Sequence, residues 1–247
     1  MQILFLDCET SPNSAFCWGL WDQQISLNQI IDTSGVLCYS AKWAGKKEVL
    51  FDSIHQSSRK KMLKGVHALL DEADVLVTFN GISFDLPVLN KELLLHGMAP
   101  PSPCKHVDLL RVVRKQFRFA SNKMDHVVQQ LGLGKKEDHE GFGLWVKCMN
   151  GDPAAWKVMR KYNIQDTVLT EKLYDRLLPW IPGHPNHGTY DGGAKCPNCG
   201  SEKLQRRGVA TTAAGKYPRL QCTGCGSWSR GTTSLHAKNK DRLVGLQ

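Results

Sequence analysis

Two kinds of residue in this 247-residue sequence are spaced for metal chemistry. The first kind is acidic. Asp7 and Glu9 stand two apart at the end of the apolar run that begins at Ile3, and the strand period of two puts both carboxylates on one face. Side by side, each raises the other's pKa unless a cation lies between them. The pair is therefore half of a metal site, or the point where a strand runs out into solvent. Asp85 closes the run Asn80-Gly81-Ile82-Ser83-Phe84-Asp85 and either caps a helix or points at the same cations. Tyr162 and Asp166 are four apart in a helical stretch and share a face, which continues through Leu169, Leu173 and Leu177. An Asp in line with an apolar stripe is costly unless it is paired or ligates a metal. The second kind is thiol. Cys196-Pro197-Asn198-Cys199-Gly200 and Cys222-Thr223-Gly224-Cys225-Gly226 form two Cys-x-x-Cys-Gly knuckles. Four thiolates suit tetrahedral Zn²⁺, and the glycines permit the tight turn by which backbone N–H groups face the sulfurs. A redox dithiol needs one such pair, not two matched ones.

The acids are far apart in the chain, so a sheet has to bring them together. Strands are expected over 3–9, 36–43 and 48–52, the last two joined by a hairpin at Gly45-Lys46-Lys47. A helix capped by Ser58 runs to Leu70, a short buried strand covers 75–79, and a helix over 85–96 stops at Gly97. A fifth strand is expected at 107–110, and the remainder to Leu178 is helical. One helix there starts at Ser121 and ends near Gly132, and Asp152-Pro153 opens a long one. This order predicts an α/β fold: a mixed sheet flanked by helices, with ligands near the strand ends. The Pro/Gly-rich stretch 179–194 reads as a linker, in which His184 and His187 are solvated rather than ligands. It separates a domain at 1–178 from a small module at 195–247.

The net charge is +9, and it is concentrated. Residues 195–247 hold 10 basic and 2 acidic side chains, whereas 1–194 are nearly balanced at 22 and 21. A basic module of this kind meets a polyanion, and without a long apolar helical face it favours nucleic acid over a membrane. Arg206, Arg207, Lys216, Arg219 and Trp228 are the candidate contacts there, alongside Lys203, Tyr217 and Arg230. Cations with interleaved aromatics suit phosphate pairing and base stacking. Docking to another protein is the competing use of such a module. The other five cysteines are scattered singly, which suits a reducing compartment. No apolar run approaches a membrane span, and the N-terminal run has no basic residue ahead of it, so a cytoplasmic location is expected.

Taken in order, the acidic motifs resemble those of the DEDD exonucleases of the ribonuclease H-like superfamily, which include the proofreading domains of DNA polymerases. Asp7-Cys8-Glu9 matches the first motif, Asn80 to Asp85 the second, and Tyr162 to Asp166 the third in its DEDDy form. The segment from Ser121 to Val128, followed by Leu131 to Lys136, is similar to a helix in the exonuclease domains of family B polymerases. The resemblance covers about 1–178 and leaves no room for a polymerase palm or thumb, which implies a free-standing chain of phage or bacterial type. It implies a ribonuclease H-like fold and two Mg²⁺ or Mn²⁺ ions. Asp7 would bridge both, Glu9 and Asp166 would hold the ion that binds the attacking water, and Asp85 would hold the other. Tyr162 would orient that water, and Asn80 and Phe84 would touch substrate. Lys123 is a candidate phosphate contact or a solvated lysine at a helix start. The implied activity is 3′→5′ exonuclease action on DNA, releasing nucleoside 5′-monophosphates from single-stranded or frayed ends during repair, recombination or replication. A structure-specific endonuclease or an RNase would use the same acids. A zinc-ribbon binding protein with an inactive nuclease fold is the other alternative, and the presence of all four acids and the Tyr argues against it.

Overall fold

The structure, a computed structural model, describes residues 1–213 and 215–235. The last 12 residues of the module expected at 195–247 lie outside the described residues. The chain divides into two compact units, one of Gln2–Tyr174 and one of Asp175 onward together with Met1.

The larger unit begins with β1 (Ile3–Thr10), β2 (Ser14–Ala15), a 3₁₀ turn (Leu27–Gln29), β3 (Ile30–Asp32), β4 (Val36–Trp43) and β5 (Leu50–Ser53). There follow α1 (Arg59–Glu72), β6 (Val75–Thr78), α2 (Asp85–Leu95), β7 (Lys105–Asp108), α3 (Leu109–Gln116), α4 (Met124–Gln130) and α5 (Phe142–Met149). Last comes α6 (Pro153–Leu177), which runs to the boundary of the unit and into the second. Five strands form one sheet in the order β5-β4-β1-β6-β7. β4 is antiparallel to both β1 and β5, whereas β6 is parallel to β1 and to β7. This is the mixed α/β sheet flanked by helices that the sequence predicts.

β1 is central and is covered on both faces. Leu4, Leu6 and Cys8 point to one side, where they pack in a core with Met62, Leu63, Val66 and Leu70 of α1 and Leu89 and Leu93 of α2. Each such fully buried aliphatic side chain contributes roughly 1.5–3 kcal/mol through lost apolar exposure. The alternate row faces α6: the Phe5 ring meets Tyr174 edge-on, with centroids 5.4 Å apart. A second core, including Leu37, Leu144, Cys148, Trp156 and Met159, builds the same side. Period-two alternation then carries Asp7 and Glu9 onto the α6 face, at the end of the strand.

Three local expectations are corrected, and one region without an expectation is filled in. The strand expected at 107–110 ends at Asp108, because the Asp108 carboxylate caps α3 by accepting the N–H groups of Leu110 at 3.0 Å and Arg111 at 3.4 Å. The helix expected from Ser121 begins at Met124, and the Ser121 hydroxyl instead accepts the Lys123 N–H at 3.3 Å. The region between β1 and β4 folds as the β2–β3 pair and holds Phe16, Trp18, Leu20, Trp21 and Leu27 exposed. The stretch 179–194 is not all irregular. It contains α7 (His187–Asp191), where the Asn186 side chain accepts the Gly188 N–H at 2.9 Å, and His184 is buried rather than solvated.

The smaller unit also holds a 3₁₀ turn (Leu178–Trp180), β8 (Leu204–Thr212), β9 (Gly215–Cys222) and β10 (Trp228–Arg230). These strands form an antiparallel sheet in the order β10-β9-β8. Among the described residues, no helix is long and apolar enough to cross a membrane.

Candidate active site

Asp7 and Glu9, from the end of β1, meet Asp166, from the middle of α6. One carboxylate oxygen of each lies within 4.8 Å of the others. A buried polar seam fixes this meeting of helix and sheet. Asn163, one turn before Thr167 and fully buried, donates its Nδ2 to Asp7 Oδ2 at 2.7 Å. Ser40 on β4 donates to the Asn163 carbonyl at 2.7 Å, and its hydroxyl lies 2.5 Å from that of Thr167. Asp85 opens α2, but its carboxylate is not spent as a helix cap. It crosses to β1 and accepts the Cys8 N–H at 2.9 Å. Asp85 stands outside the three-acid cluster at that spacing. The loop leading to it is organised by Asp108, which accepts the N–H of Asn80 at 3.0 Å and of Ile82 at 3.2 Å.

The site's electrostatics follow from burial and crowding. Burial, then the charges of Asp85, Glu9 and Asp166, raise the Asp7 carboxyl well above the ordinary range. Glu9 is pushed up to about 8 by burial and Asp166, with partial relief from Lys136 and a hydrogen bond from Trp145. Burial lifts Asp85 to about 6. Burial also raises Asp166, against the pull of Lys136. The Lys136 ammonium donates to Asp166 Oδ2 and, at 3.1 Å, to the Tyr162 hydroxyl. Burial opposes the charge on Lys136, but Asp166 holds its pKa above the ordinary value. Burial and Asp166 raise the Tyr162 phenol, so it stays protonated near neutral pH. Its ring sits edge-on to His139 at 4.8 Å and to Trp145 at 6.1 Å.

Two observations bear on whether these residues suit divalent cations. Asp166 Oδ1 is buried and has no hydrogen-bond partner among the described residues. In addition, among the described residues one ammonium, that of Lys136, is set against four crowded carboxylates. A set of hard oxygen donors short of positive charge fits Mg²⁺ or Mn²⁺.

A cleft of about 610 Å³ opens beside Asp7, lined by Asn80, Arg114, Ser121, Asn122, Lys123 and Lys136 among others. It gathers the predicted Asn80 and Lys123. Phe84 is not in its lining; that ring is exposed on the turn before α2. Sequence reasoning missed Arg114, which lies in a stretch expected to be helical but carries no motif, and Asn163, which has no motif of its own. Lys136 was noted only as part of the segment after α4, and its partnership with Asp166 carried no signal.

The four cysteines of the smaller unit also converge, with all four sulfurs within 4.8 Å of one another. The two knuckles repeat one geometry. Gly200 N–H reaches the Cys196 carbonyl and Gly226 N–H the Cys222 carbonyl, each at 2.9 Å, with φ of 73° and 84° at the glycines. Although burial pushes the Cys222 thiol up, the N–H groups of Cys225 and Gly224 draw it down to about 7. This donor set suits a soft tetrahedral ion. Arg206, Arg207, Lys216, Arg219 and Trp228 are all exposed on β8–β10.

A central strand with two acids at its end, one antiparallel neighbour that pairs onward with an edge strand on one side, and two parallel strands on the other define a ribonuclease H-like α/β fold. The family model of the RNase H superfamily matches residues 4–178, and the chain belongs to that superfamily. Among solved structures it is similar to the family B DNA polymerase from the hyperthermophilic archaeon Pyrobaculum calidifontis, with a TM-score of 0.53 and 19% identity. That match covers 72% of this chain and 24% of the polymerase chain, so it shares a fold with about a quarter of that protein. Comparison with curated proteins gives no match.

Proposed function

We propose that the protein is a metal-dependent 3′→5′ exonuclease of the DEDDy type, acting on single-stranded or frayed 3′ ends of DNA and releasing nucleoside 5′-monophosphates. One observation carries this reading: three carboxylates from two distant elements converge within 4.8 Å, and one buried oxygen of Asp166 has no protein partner among the described residues. Asp7, Glu9, Asp166 and Asp85 would hold two Mg²⁺ or Mn²⁺ ions. When bound, such ions supply a water of lowered pKa and stabilise the leaving oxygen. The chain supplies the rest. Tyr162 orients the attacking water through a phenol that stays protonated. Lys136 ties that hydroxyl to Asp166, and Asn163 fixes the rotamer of Asp7. Asn80, Arg114 and Lys123 offer polar and cationic groups to the sugar-phosphate backbone in the cleft, and Phe84, exposed on the turn before α2 and outside that lining, offers a ring to a base at the cleft's edge. In this reading 1–178 is the exonuclease domain. The module at 195–247 is a zinc ribbon that holds one structural Zn²⁺ on Cys196, Cys199, Cys222 and Cys225 and adds affinity for nucleic acid.

The test is a cleavage assay on single-stranded, duplex and branched DNA and on RNA, labelled at either end, with Mg²⁺, with Mn²⁺ and without either. The expected result is a product ladder shortened from the 3′ end only when a divalent cation is added. Asp7→Asn should bring cleavage to background with the fold retained, and unchanged turnover in that variant would overturn the reading. Tyr162→Phe should lower kcat by about 100-fold, the low end of what a positioned proton-handling side chain contributes. Internal cuts, or cleavage of RNA alone, would assign the same acids to an endonuclease or an RNase.

A further inference from the structure

The ribbon sheet sorts its side chains onto two unequal faces. Along β9, Tyr217, Arg219 and Gln221 point to one side, and Lys216, Pro218 and Leu220 to the other. Cross-strand partners share a face. Arg230 lies opposite Arg219, and Trp228 and Gln205 both lie opposite Gln221. Arg206 lies opposite Leu220 and Thr211 opposite Lys216, so Arg206 and Lys216 belong to the other side. A bulge between Arg206 and Val209 sets Arg207 beside Arg219, and the Arg207 guanidinium donates to Gln205 Oε1 at 3.0 Å, which keeps it on the Gln205 side.

On that first face the cations and rings are already interleaved. The Arg219 guanidinium lies over the Trp228 ring at 5.2 Å and donates its Nε to the Arg207 carbonyl at 2.7 Å. The Arg230 guanidinium lies over the Tyr217 ring at 4.3 Å. Arg207, Arg219, Arg230 and Trp228 are exposed, and the only acid in 195–235, Glu202, precedes β8. Stacking on a ring restricts a guanidinium to one plane; Arg219 Nε is spent on the Arg207 carbonyl and one Arg230 Nη on the Gly231 carbonyl at 3.1 Å, and the other N–H groups of each are left to phosphate. The rings and the guanidinium planes offer flat surfaces to unpaired bases.

We propose that this face, built from Arg207, Tyr217, Arg219, Trp228 and Arg230, is a docking surface for single-stranded nucleic acid, and that the opposite face with Arg206 and Lys216 is not. The proposal rests on the reading of the ribbon as a nucleic-acid-binding module and narrows it to one side of the sheet. Charge complementarity selects the occupant: three arginines without an acid among them suit a polyanion, and exposed rings suit a strand whose bases are free.

The experiment uses the full zinc-loaded chain, no added Mg²⁺ or Mn²⁺, and fluorescence anisotropy of labelled single-stranded and duplex oligonucleotides across a salt series. Zinc content is checked for every variant, so that loss of the ribbon fold is not mistaken for loss of the docking face. The triple change Arg207→Gln, Arg219→Gln, Arg230→Gln should weaken single-strand binding roughly tenfold or more at about 100 mM salt. It should also flatten the salt slope by about 2, at about 0.7 for each phosphate of a single strand that is no longer neutralised. Trp228→Leu should weaken binding roughly tenfold, about one base stack, with the slope unchanged and with little effect on duplex. The pair Arg206→Gln, Lys216→Gln should change affinity by less than about threefold, as expected of cations that do not touch the strand. The inference fails if the opposite-face pair costs as much as the triple, or if Trp228→Leu affects duplex and single strand alike. Neutralising all five cations together separates the two levels. If that variant binds as well as the parent, the ribbon does not serve nucleic acid and the broader reading falls. If it loses binding while the triple does not, only the assignment to one face falls.

Discussion

The two clusters of this chain solve the problem of gathering like-charged ligands in opposite ways. The acids come from positions 7, 9, 85 and 166 and are brought together by a sheet with a large core on both faces. That scaffold exists whether or not the acids are neutralised. The thiols come from four positions within 30 residues, on two matched turns. Over the described residues from 195 onward, only Cys196, Gly215, Cys222 and Ser227 are buried. There, two of the four buried residues are themselves candidate metal ligands, so this module has almost no core apart from its sulfurs. On the proposed reading, binding an ion is a functional act at the first site and a folding act at the second.

The largest expected effect tests that contrast directly. Structural zinc sites contribute roughly 10–16 kcal/mol of metal-linked folding free energy near neutral pH. Cys222→Ser removes one of four ligands and should unfold the ribbon strands, seen as loss of bound zinc and collapse of the amide dispersion of 204–230 in an NMR spectrum. Amides of β1, β4 and β6 should stay where they are. Asp7→Asn should do the reverse: lose activity and keep every amide dispersed. If Cys222→Ser retains an ordered β8–β10 sheet, the ribbon has a core that burial does not reveal, and the contrast fails.

A smaller effect comes from the polar seam behind the acids. Asn163 is fully buried and holds Asp7 from behind. Residues that orient a metal ligand typically cost 10–100-fold in metal affinity or activity when removed, so Asn163→Leu should raise the Mn²⁺ concentration for half-maximal activity by about that factor. Saturating Mn²⁺ should restore much of the rate, because the ligands remain. A loss that no Mn²⁺ concentration rescues would mean that the seam supports the fold rather than the site.

How much of this was legible in the sequence follows the same division. The thiol cluster is local, so Cys-x-x-Cys-Gly written twice specifies it. The acids of β1 were legible because alternation fixes their face, and Asp166 because it sits in a helix. Their convergence was not legible from spacing; it came from the order of the motifs. Asn163, Thr167 and Thr170 are buried polar residues on α6, and a hydrophobic period cannot register them. The strand end at Asp108 was misplaced because Val107, Leu109 and Leu110 form one apolar run across a strand–helix junction that a single carboxylate cap divides. The β2–β3 pair has little buried apolar pattern to announce it, since much of its side-chain bulk faces outward.

The smallest expected effect is in pH, and its sign differs between the two clusters. Asp85 at about 6 and Glu9 at about 8 are raised in the folded chain above the ordinary values of 3.8 and 4.5. The folded state therefore binds protons that the unfolded state has released. Without divalent cations, their contribution to stability is full below about pH 4 and is lost as the pH rises through 6 and then 8. Mn²⁺ does the work of those protons, so the rise in melting temperature that it causes should grow from pH 5.5 to 8.5. In a protein of this size about 1 kcal/mol moves the midpoint by roughly 2–4 °C, so the shift should be a few degrees. Comparing the parent with Glu9→Gln isolates the acids from other titrating groups, including His106, which burial lowers and which therefore acts in the opposite direction. On the zinc reading the ribbon should behave oppositely, because thiols must lose protons to hold the ion: burial holds Cys196 and Cys199 above the ordinary thiol value, and backbone N–H groups draw Cys222 down to about 7. Its transition should strengthen over the interval in which that of the larger unit weakens. Two transitions that move together with pH would show that the clusters are coupled, and the contrast between a site built on a core and a core built on a site would no longer hold.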